Sequence, residues 1–586
     1  MRKRTACIVV LLVILAAGVL IHQGALEGPA AEAQEKEILR IGILREVESL
    51  NPMVCWSMQA YEVMHLNYNL LVAWDEDLNL APNLAKEWSF DEGGSVWTFN
   101  LQEGVKWHDG QPFTSEDVKF TFEYMRDNQL GYFTDYVDPI TDIEVPDEHT
   151  VVLYFGEPQS WMPNMWVPIV PKHIWEEVDP EEAGSTYENL SAVGTGPFQT
   201  VEHRKGEYLR MVANPDYFKG APQIDEIVFV NFGNAPVMVE ALKLGEVDVV
   251  TELPGAQFST LIGEDDIVAL EAASPSFSQL AINVWDDPDS GGNPLLLDRN
   301  VRIAIDHAIN RQHIIDAISF GYGEPGTTLV PPAYDYWHLE LSPGEIREFN
   351  LDKARQILED AGYTDDGSGV RHSPDGEPLA FNLLLRSESP ESVPRGQLMV
   401  EWLSDIGMDI TIEVLDDGSL TDRIYDNADF DMFTWGWWVD IDPTSILRIM
   451  ITDQIFWWND SFYSNPEYDE LFELQRTQMD MEERRETVLE MQRIVYEDAH
   501  YLVLMYEPEL QAYRTDRFEG WVRTPGDGPA VFTHSLLTYE NLRPISEAAP
   551  AAPADEESSP FIWILLAVAA VVAGFILARR KKQQSS

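Results

Sequence analysis

Cysteine is nearly missing from this chain of 586 residues, which has only Cys7 and Cys55. Cys7 lies in an N-terminal apolar run, so removal of that run leaves Cys55 alone and excludes a structural disulfide. Positive charge is scarce as well: 39 Lys plus Arg stand against 100 Asp plus Glu, a formal net charge of -61. A field of that sign repels phosphate backbones and anionic headgroups, which excludes nucleic acid as a partner and argues against a membrane-surface protein. Two readings of the acidity stay open, a hydrated solubilising surface and an attraction for cationic ligands. The 12 histidines are dispersed, and His307 and His313 are not spaced to stack two ligands on one helix face, so neither metal nor cofactor is expected. There is no His-Glu-x-x-His, no Gly-x-Ser-x-Gly and no Walker-type phosphate loop, so no enzymatic activity is expected.

What is present is a large globular composition, with 45% hydrophobic and 11% aromatic residues, in a chain long enough for at least two lobes. Arg2, Lys3 and Arg4 precede an apolar run from Ala6 to Ile21, and Ala31-Glu32-Ala33 resembles a signal-peptidase site. Residues 1–33 are therefore expected to be a signal peptide, with an uncleaved signal anchor as the alternative. At the other end Phe561 to Ala578 is uncharged and apolar, and Arg579-Arg580-Lys581-Lys582 follows. This pattern predicts a C-terminal transmembrane helix over 561–578 with a basic cytoplasmic tail over 579–586. Residues 545–560, rich in Ala, Pro and acids, read as a stalk. The body is expected outside the cell, extracellular or periplasmic, tethered by a single pass.

Between Glu37 and Leu542 strands and helices alternate without repeats, which predicts an α/β body. Leu39 to Ile43, Val151 to Phe155, Ile227 to Phe232, Ile410 to Val414 and Leu502 to Tyr506 read as strands. Thr114 opens a helix carrying Val118, Phe122 and Met125 on one face, with Asp117 completing a capping box. Asp298 is a candidate cap for the stripe Val301, Ala304, Ile305, Ala308, Ile309. Gly362 stands where a left-handed terminus should end the stripe from Leu351 to Ala361.

The block Leu80 to Trp88, Trp97 to Leu101, Gly104 to Gly110 and Phe113 to Phe122 resembles the signature region of extracellular solute-binding protein family 5, the oligopeptide-, dipeptide- and nickel-binding proteins of ABC importers. Gly194-Thr195-Gly196-Pro197-Phe198, Asn214 to Phe218, Ala241 to Val249, Val301 to Arg311 and Asp352 to Gly362 continue the resemblance in family order. It implies the type II periplasmic-binding-protein fold in its large three-subdomain variety: two lobes and a hinge. Lobe I would cover 37–270 and return over 508–544, and lobe II would span 271–507. Solute would be captured by hinged closure and passed to ABC permease subunits driven by a cytoplasmic ATPase.

Trp435-Gly436-Trp437-Trp438-Val439-Asp440-Ile441-Asp442-Pro443 resembles the family's aromatic-plus-Asp-Pro loop, where peptide-binding relatives pair an Asp with the ligand's α-amino group. Asp442, directly before Pro443, has the character of a helix cap, leaving Asp440 as the amine anchor. Peptide binders usually carry that anchor four residues before the proline, where this chain has Val439. Arg386 matches the position at which dipeptide-binding relatives hold a ligand carboxylate; a surface ion pair with Glu388 is the alternative. Trp435 and Trp437 should share one strand face, toward ligand or toward core. Trp56, Tyr61, Trp457 and Trp458 complete the aromatic candidates. Oligosaccharide, through stacking, or a nickel chelate is the alternative solute. Asn189-Leu190-Ser191 and Asn459-Asp460-Ser461 fit the glycosylation triplet.

Overall fold

The computed structural model describes residues 36–545 apart from 366, 527 and 532. The expected leader, the expected stalk beyond residue 545 and the apolar run 561–578 lie outside the described residues. Among the described residues no helix is long and apolar enough to cross a membrane.

The expected strands form at Ile38–Ile43, Thr150–Phe155, Glu226–Asn231 and Asp409–Leu415, each with β-branched or aromatic side chains at buried positions. A fifth differs: Leu502 to Tyr506 is only the start of a 14-residue strand, Tyr501–Arg514. The apolar run ends at Tyr506 because Glu507, Pro508 and Glu509 follow, yet backbone pairing continues beyond them with Ile267–Ile282. These two long antiparallel strands are the spine of an eleven-stranded mixed sheet. One end of the spine pairs, through Val249–Val250, toward Ile38–Ile43, Glu226–Asn231, Tyr208–Ala213 and Phe198–Arg204; the other end pairs with Met432–Trp438, which leads to Ala380–Arg386 and Asp409–Leu415. Spine pairing breaks between Ala273 and Phe277, where Ser274-Pro275-Ser276 stands opposite the stretch around Pro508. Proline cannot donate to a ladder, so the spine is weakest at that point.

The signature block builds a separate four-stranded antiparallel sheet, ordered Ala85–Phe90, Val96–Leu101, Thr150–Phe155, Ile140–Asp147. Trp97, Phe99 and Leu101 alternate onto its buried face. Helix Ser115–Asn128 covers it with Val118, Phe122 and Met125, and the Asp117 carboxylate accepts the Thr114 N–H at 2.9 Å. On the far half of the spine, helix Arg299–Ala308 starts at Asp298, whose side chain accepts from Asn300 N–H. Helix Leu351–Asp360 ends before Gly362 at φ +93°, the left-handed conformation expected there.

Two motif glycines have a steric reason. A Cβ on Gly194 would lie 1.8 Å from the Asn67 carbonyl oxygen, and one on Gly196 2.2 Å from that of Leu66. The Gly-Thr-Gly loop is therefore pressed against the end of helix Met58–Asn67, and Thr195 bonds the Asn69 side chain at 3.1 Å.

Candidate functional site

Met432–Trp438 emerges from the sheet and delivers Asp440 and Asp442 into a buried loop. The two carboxylates lie two residues apart and meet different partners. Asp442 forms a bidentate ion pair with Arg484, Oδ2 to Nη1 at 2.8 Å and Oδ1 to Nη2 at 2.7 Å. It also accepts the Thr444 N–H at 3.0 Å. Burial opposes its ionisation, but the Arg484 guanidinium overrides this and holds its carboxyl below the usual carboxylate range. The short helix Thr444–Arg448 has Pro443 at its N-cap, one residue past the expected cap, while the Asp442 carboxylate still accepts a first-turn N–H, that of Thr444.

Asp440 makes no ion pair among the described residues. Its Oδ2 accepts the hydroxyls of Tyr136 at 2.9 Å and Tyr132 at 3.0 Å, and Ser445 adds a further side-chain hydrogen bond. Both tyrosines come from the segment beside the four-stranded sheet, around helix Thr134–Val137. Burial raises the Asp440 carboxyl above its usual range, and these hydroxyls only partly offset it. The tyrosine hydroxyls are themselves pushed well up, by burial and then by Asp440. Around them Tyr61, Tyr132, Phe133 and Trp166 form an edge-to-face cluster, with the Tyr61 and Trp166 rings 4.9 Å apart. Tyr61 is buried and its hydroxyl donates to the Cys55 carbonyl, so it backs the site as a wall.

More contacts join the same two surfaces. Arg448 pairs with Asp135 at 2.6 Å, and Ser160 bonds the Arg476 carbonyl at 2.9 Å through both its N–H and its hydroxyl. A cavity of about 330 Å³ adjoins them, lined by Tyr132, Tyr136, Trp161, Ser445, Arg448 and Phe472.

Arg386, at the end of Ala380–Arg386, takes Asp417 and not Glu388 as its ion-pair partner: its Nε donates to Asp417 at 2.7 Å and its Nη2 to the other Asp417 oxygen. Its guanidinium stacks 4.3 Å above the Trp435 ring centre. Nη1 makes no hydrogen bond among the described residues, and the side chain is 28% exposed. Trp435 and Trp437 share the sheet face that also carries Phe277, whereas Trp438 turns to the opposite face near His534. Trp437 is tied to Tyr501 through its Nε1, 2.5 Å from the hydroxyl, and packs against Trp458. Trp56 and Trp457 are 74% and 73% exposed and available to solvent.

Thus the structure brings Tyr61 toward Asp440, and Arg386 onto Trp435. Sequence reasoning missed Tyr132 and Tyr136; their i, i+4 spacing beside Asp135 was the only local signal. At the two glycosylation triplets Asn189 and Asn459 are buried, and both amide nitrogens are spent on internal acceptors, Leu50 and Tyr68 for one, Ile451 and Tyr463 for the other. Cys55 is a buried free thiol.

A mixed sheet built on two long antiparallel strands, a separate antiparallel sheet and a buried carboxylate without an ion-pair partner among the described residues make up an α/β protein with a candidate ligand site. Residues 79–455, more than half of the chain, match the family model of bacterial extracellular solute-binding proteins, family 5 Middle, and the chain belongs to that family. The oligopeptide-binding protein AppA of Bacillus subtilis is 24% identical over 85% of this chain and 91% of its own length. Its structure in complex with a nonapeptide superposes with a TM-score of 0.72 at 23% identity, covering 87% of this chain and 99% of that one. NikA of Brucella suis, solved with Fe(III)-EDTA, gives a TM-score of 0.75 at 21% identity over 87% of this chain and all of that one. The periplasmic-binding-protein fold is common to all three, and solute binding is the family's function.

Proposed function

We propose that this chain is the substrate-binding component of an ABC importer and that its solute is a short peptide with free ends. The observation that carries this reading is the contrast at the loop: Asp442 has its cation in Arg484, and Asp440, equally buried, has none. A buried carboxylate without a counter-charge is costly, and an ammonium supplies the charge with up to three donors. Asp440 is read as the anchor for the α-ammonium, with Tyr132 and Tyr136 fixing the rotamer of its carboxylate. Arg386 is read as the anchor for the α-carboxylate: Asp417 and Trp435 hold its plane, and Nη1 faces the ligand. Trp435, Trp437, Trp56 and Trp457 are read as aromatic walls.

The spine interruption at Ser274-Pro275-Ser276 and Pro508 is read as the hinge between lobe I, 37–270 with 508–544, and lobe II, 271–507. Closure brings the tyrosines of one lobe onto the aspartate of the other, so ligand contacts to both lobes favour the closed state. Residues 1–33 are read as the leader, and 561–578 as the single-pass anchor holding the body outside the cell near its permease. No cofactor or catalytic step enters this reading.

The test is calorimetric titration of the full chain with a free tripeptide, its N-acetyl form and its C-terminal amide. Asp440→Asn is expected to weaken the free peptide by about 10- to 100-fold, the worth of a charge-assisted hydrogen bond, and to remove the preference over the N-acetyl form. Arg386→Met is expected to do the same for the preference over the amide. Unchanged preferences in both variants refute the assignment of the ends; selective binding of an oligosaccharide that depends on Trp56 or Trp457 favours the sugar reading instead.

A further inference from the structure

The cavity of about 330 Å³ beside the Asp440 loop takes no part in the end-group anchoring proposed for Asp440 and Arg386. Its walls come from two distant stretches of the chain: Tyr132, Tyr136 and Trp161 on one side, Ser445, Ile451 and Phe472 on the other. Rings dominate this lining. Tyr136 meets Trp161 at 5.7 Å between ring centres and 63° between planes, and it meets Tyr132 at 6.4 Å and 65°. Edge-to-face packing of this kind accepts one more ring in the same geometry. The volume lies at the lower end of small-molecule sites, about 300 to 1,000 Å³, and suits one large side chain better than a whole ligand.

Most polar side chains of the lining are already answered from within the protein. The Tyr132 and Tyr136 hydroxyls donate to Asp440, and Ser445 bonds the same carboxylate. Asp442 is held by Arg484, Arg448 pairs with Asp135 at 2.6 Å, and Arg476 pairs with Glu473 at 3.2 Å. A group that enters therefore gains chiefly from burying carbon. Asp138 and Asp453, which also line the cavity, are exposed and put negative charge at its mouth, which disfavours an acidic side chain. The cavity and Asp440 lie on either side of one layer of hydroxyls, since the tyrosine oxygens that border the cavity stand 2.9 and 3.0 Å from the carboxylate.

We propose that this cavity is the side-chain pocket for the residue that carries the solute's free amine, and that it selects a large apolar side chain, aromatic above all. The inference deepens the peptide reading and rests on it for the ammonium at Asp440. In an amino acid the nitrogen and Cβ are bonded to the same carbon, so an ammonium held by Asp440 sets its own side chain at the hydroxyl layer that the cavity borders. A ring in the cavity touches both walls and so ties the stretch 132–161 to the stretch 442–476. Occupancy thereby adds to the contacts that favour the closed state.

The test uses the full chain, with Phe-Ala-Ala compared by calorimetry with Ala-Ala-Ala, Ala-Ala-Phe and Glu-Ala-Ala. Phe-Ala-Ala is expected to bind about ten- to 100-fold more tightly than Ala-Ala-Ala, the worth of burying one aromatic side chain, and Glu-Ala-Ala no more tightly than Ala-Ala-Ala. Ile451→Trp, which fills the cavity from its half-buried wall, is expected to bring the ratio of Phe-Ala-Ala to Ala-Ala-Ala close to one. Should that variant not fold, Ile451→Phe gives a smaller filling and the same readout. Equal binding of Phe-Ala-Ala and Ala-Ala-Ala, an equal gain for Ala-Ala-Phe, or an unchanged ratio in the filled variant overturns the pocket and leaves the peptide reading standing. Should none of the tripeptides bind, thermal shift with phenylalaninamide and alaninamide decides. A larger rise in Tm with phenylalaninamide keeps the pocket and sinks the peptide reading, and no difference between the two sinks both.

Discussion

Asp442 and Arg484 are locked in a buried bidentate pair at 2.7 and 2.8 Å, and that pair fixes the loop on which Asp440 stands two residues earlier. Arg484 comes from helix Met481–Asp498 and is fully buried, with its Nε donating to Gln475 and its Nη2 also to Thr444. The pair is satisfied internally, which is why the partner of Asp440 has to come from elsewhere.

Removing one member leaves the other charge buried and unpaired. Asp442→Asn is expected to cost about 3 to 5 kcal/mol of stability, and Arg484→Met a similar amount. Urea denaturation followed by tryptophan fluorescence measures this. Asp440→Asn, which removes an unpaired buried carboxylate, is expected to leave the urea midpoint unchanged or raise it; a drop as large as that of Asp442→Asn contradicts the distinction between them.

Tyr132 and Tyr136 each give one hydroxyl to the same Asp440 oxygen. Tyr132→Phe and Tyr136→Phe are each expected to weaken peptide binding by about three- to tenfold, the worth of about 1 kcal/mol of aim on the carboxylate. The double variant is expected to lose more than the sum, because the last donor carries the whole task. Calorimetry on the four chains of the double-mutant cycle checks the coupling.

Gly196→Ala places a methyl carbon 2.2 Å from the Leu66 carbonyl oxygen. Backbone on both sides resists, so a loss of about 3 kcal/mol or more is expected. Gly104→Ala, at a glycine with open space but φ +75°, is expected to cost only about 1 kcal/mol, from backbone strain alone. Thermal melts of the two variants distinguish steric from conformational demand.

Acid pH acts with opposite sign on two buried histidines and two glutamates. His65 is held neutral by burial, its pKa lowered to about 4, and His534 to about 3. Their contribution is present above the unfolded value near 6.5 and is lost as pH falls toward 4, by roughly 3 kcal/mol for His65. Glu62 and Glu509, raised to about 7, contribute stability that is complete below the unfolded value near 4.5 and is lost as pH rises through 7. Subtracting His65→Gln from wild type across pH 4 to 8 is expected to give a difference that grows with pH, and subtracting Glu62→Gln one that shrinks. Slopes of the same sign in both cases refute the assignment.

The candidate site was legible in part. The loop from Trp435 to Pro443 was identifiable because its residues are contiguous and their types unusual together. The choice of Asp440 over Asp442 followed from the proline that comes next, although the structure gives Asp442 a stronger tie than a cap. Arg386 was found by position in its family, but its partner Asp417 was not, since 31 residues separate them. The long strand Tyr501–Arg514 was read to only a third of its length, because Glu507-Pro508-Glu509 carries none of the side-chain pattern of a strand while its neighbours still pair.

The sequence by itself determined the α/β class, the capped helices, the signature hairpins and the family, because each depends on side-chain periodicity or on contiguous motifs acting over a few residues. Only the tertiary structure decided which carboxylates are answered. Arg484 reaches Asp442, two tyrosines reach Asp440, and Glu62, Glu252 and Glu509 converge on one small cavity, all across separations of tens to hundreds of residues. In a chain with 100 acidic residues, no local pattern distinguishes a buried carboxylate from a solvated one. The distinction comes from desolvation, and desolvation is a property of what the rest of the fold packs against each side chain.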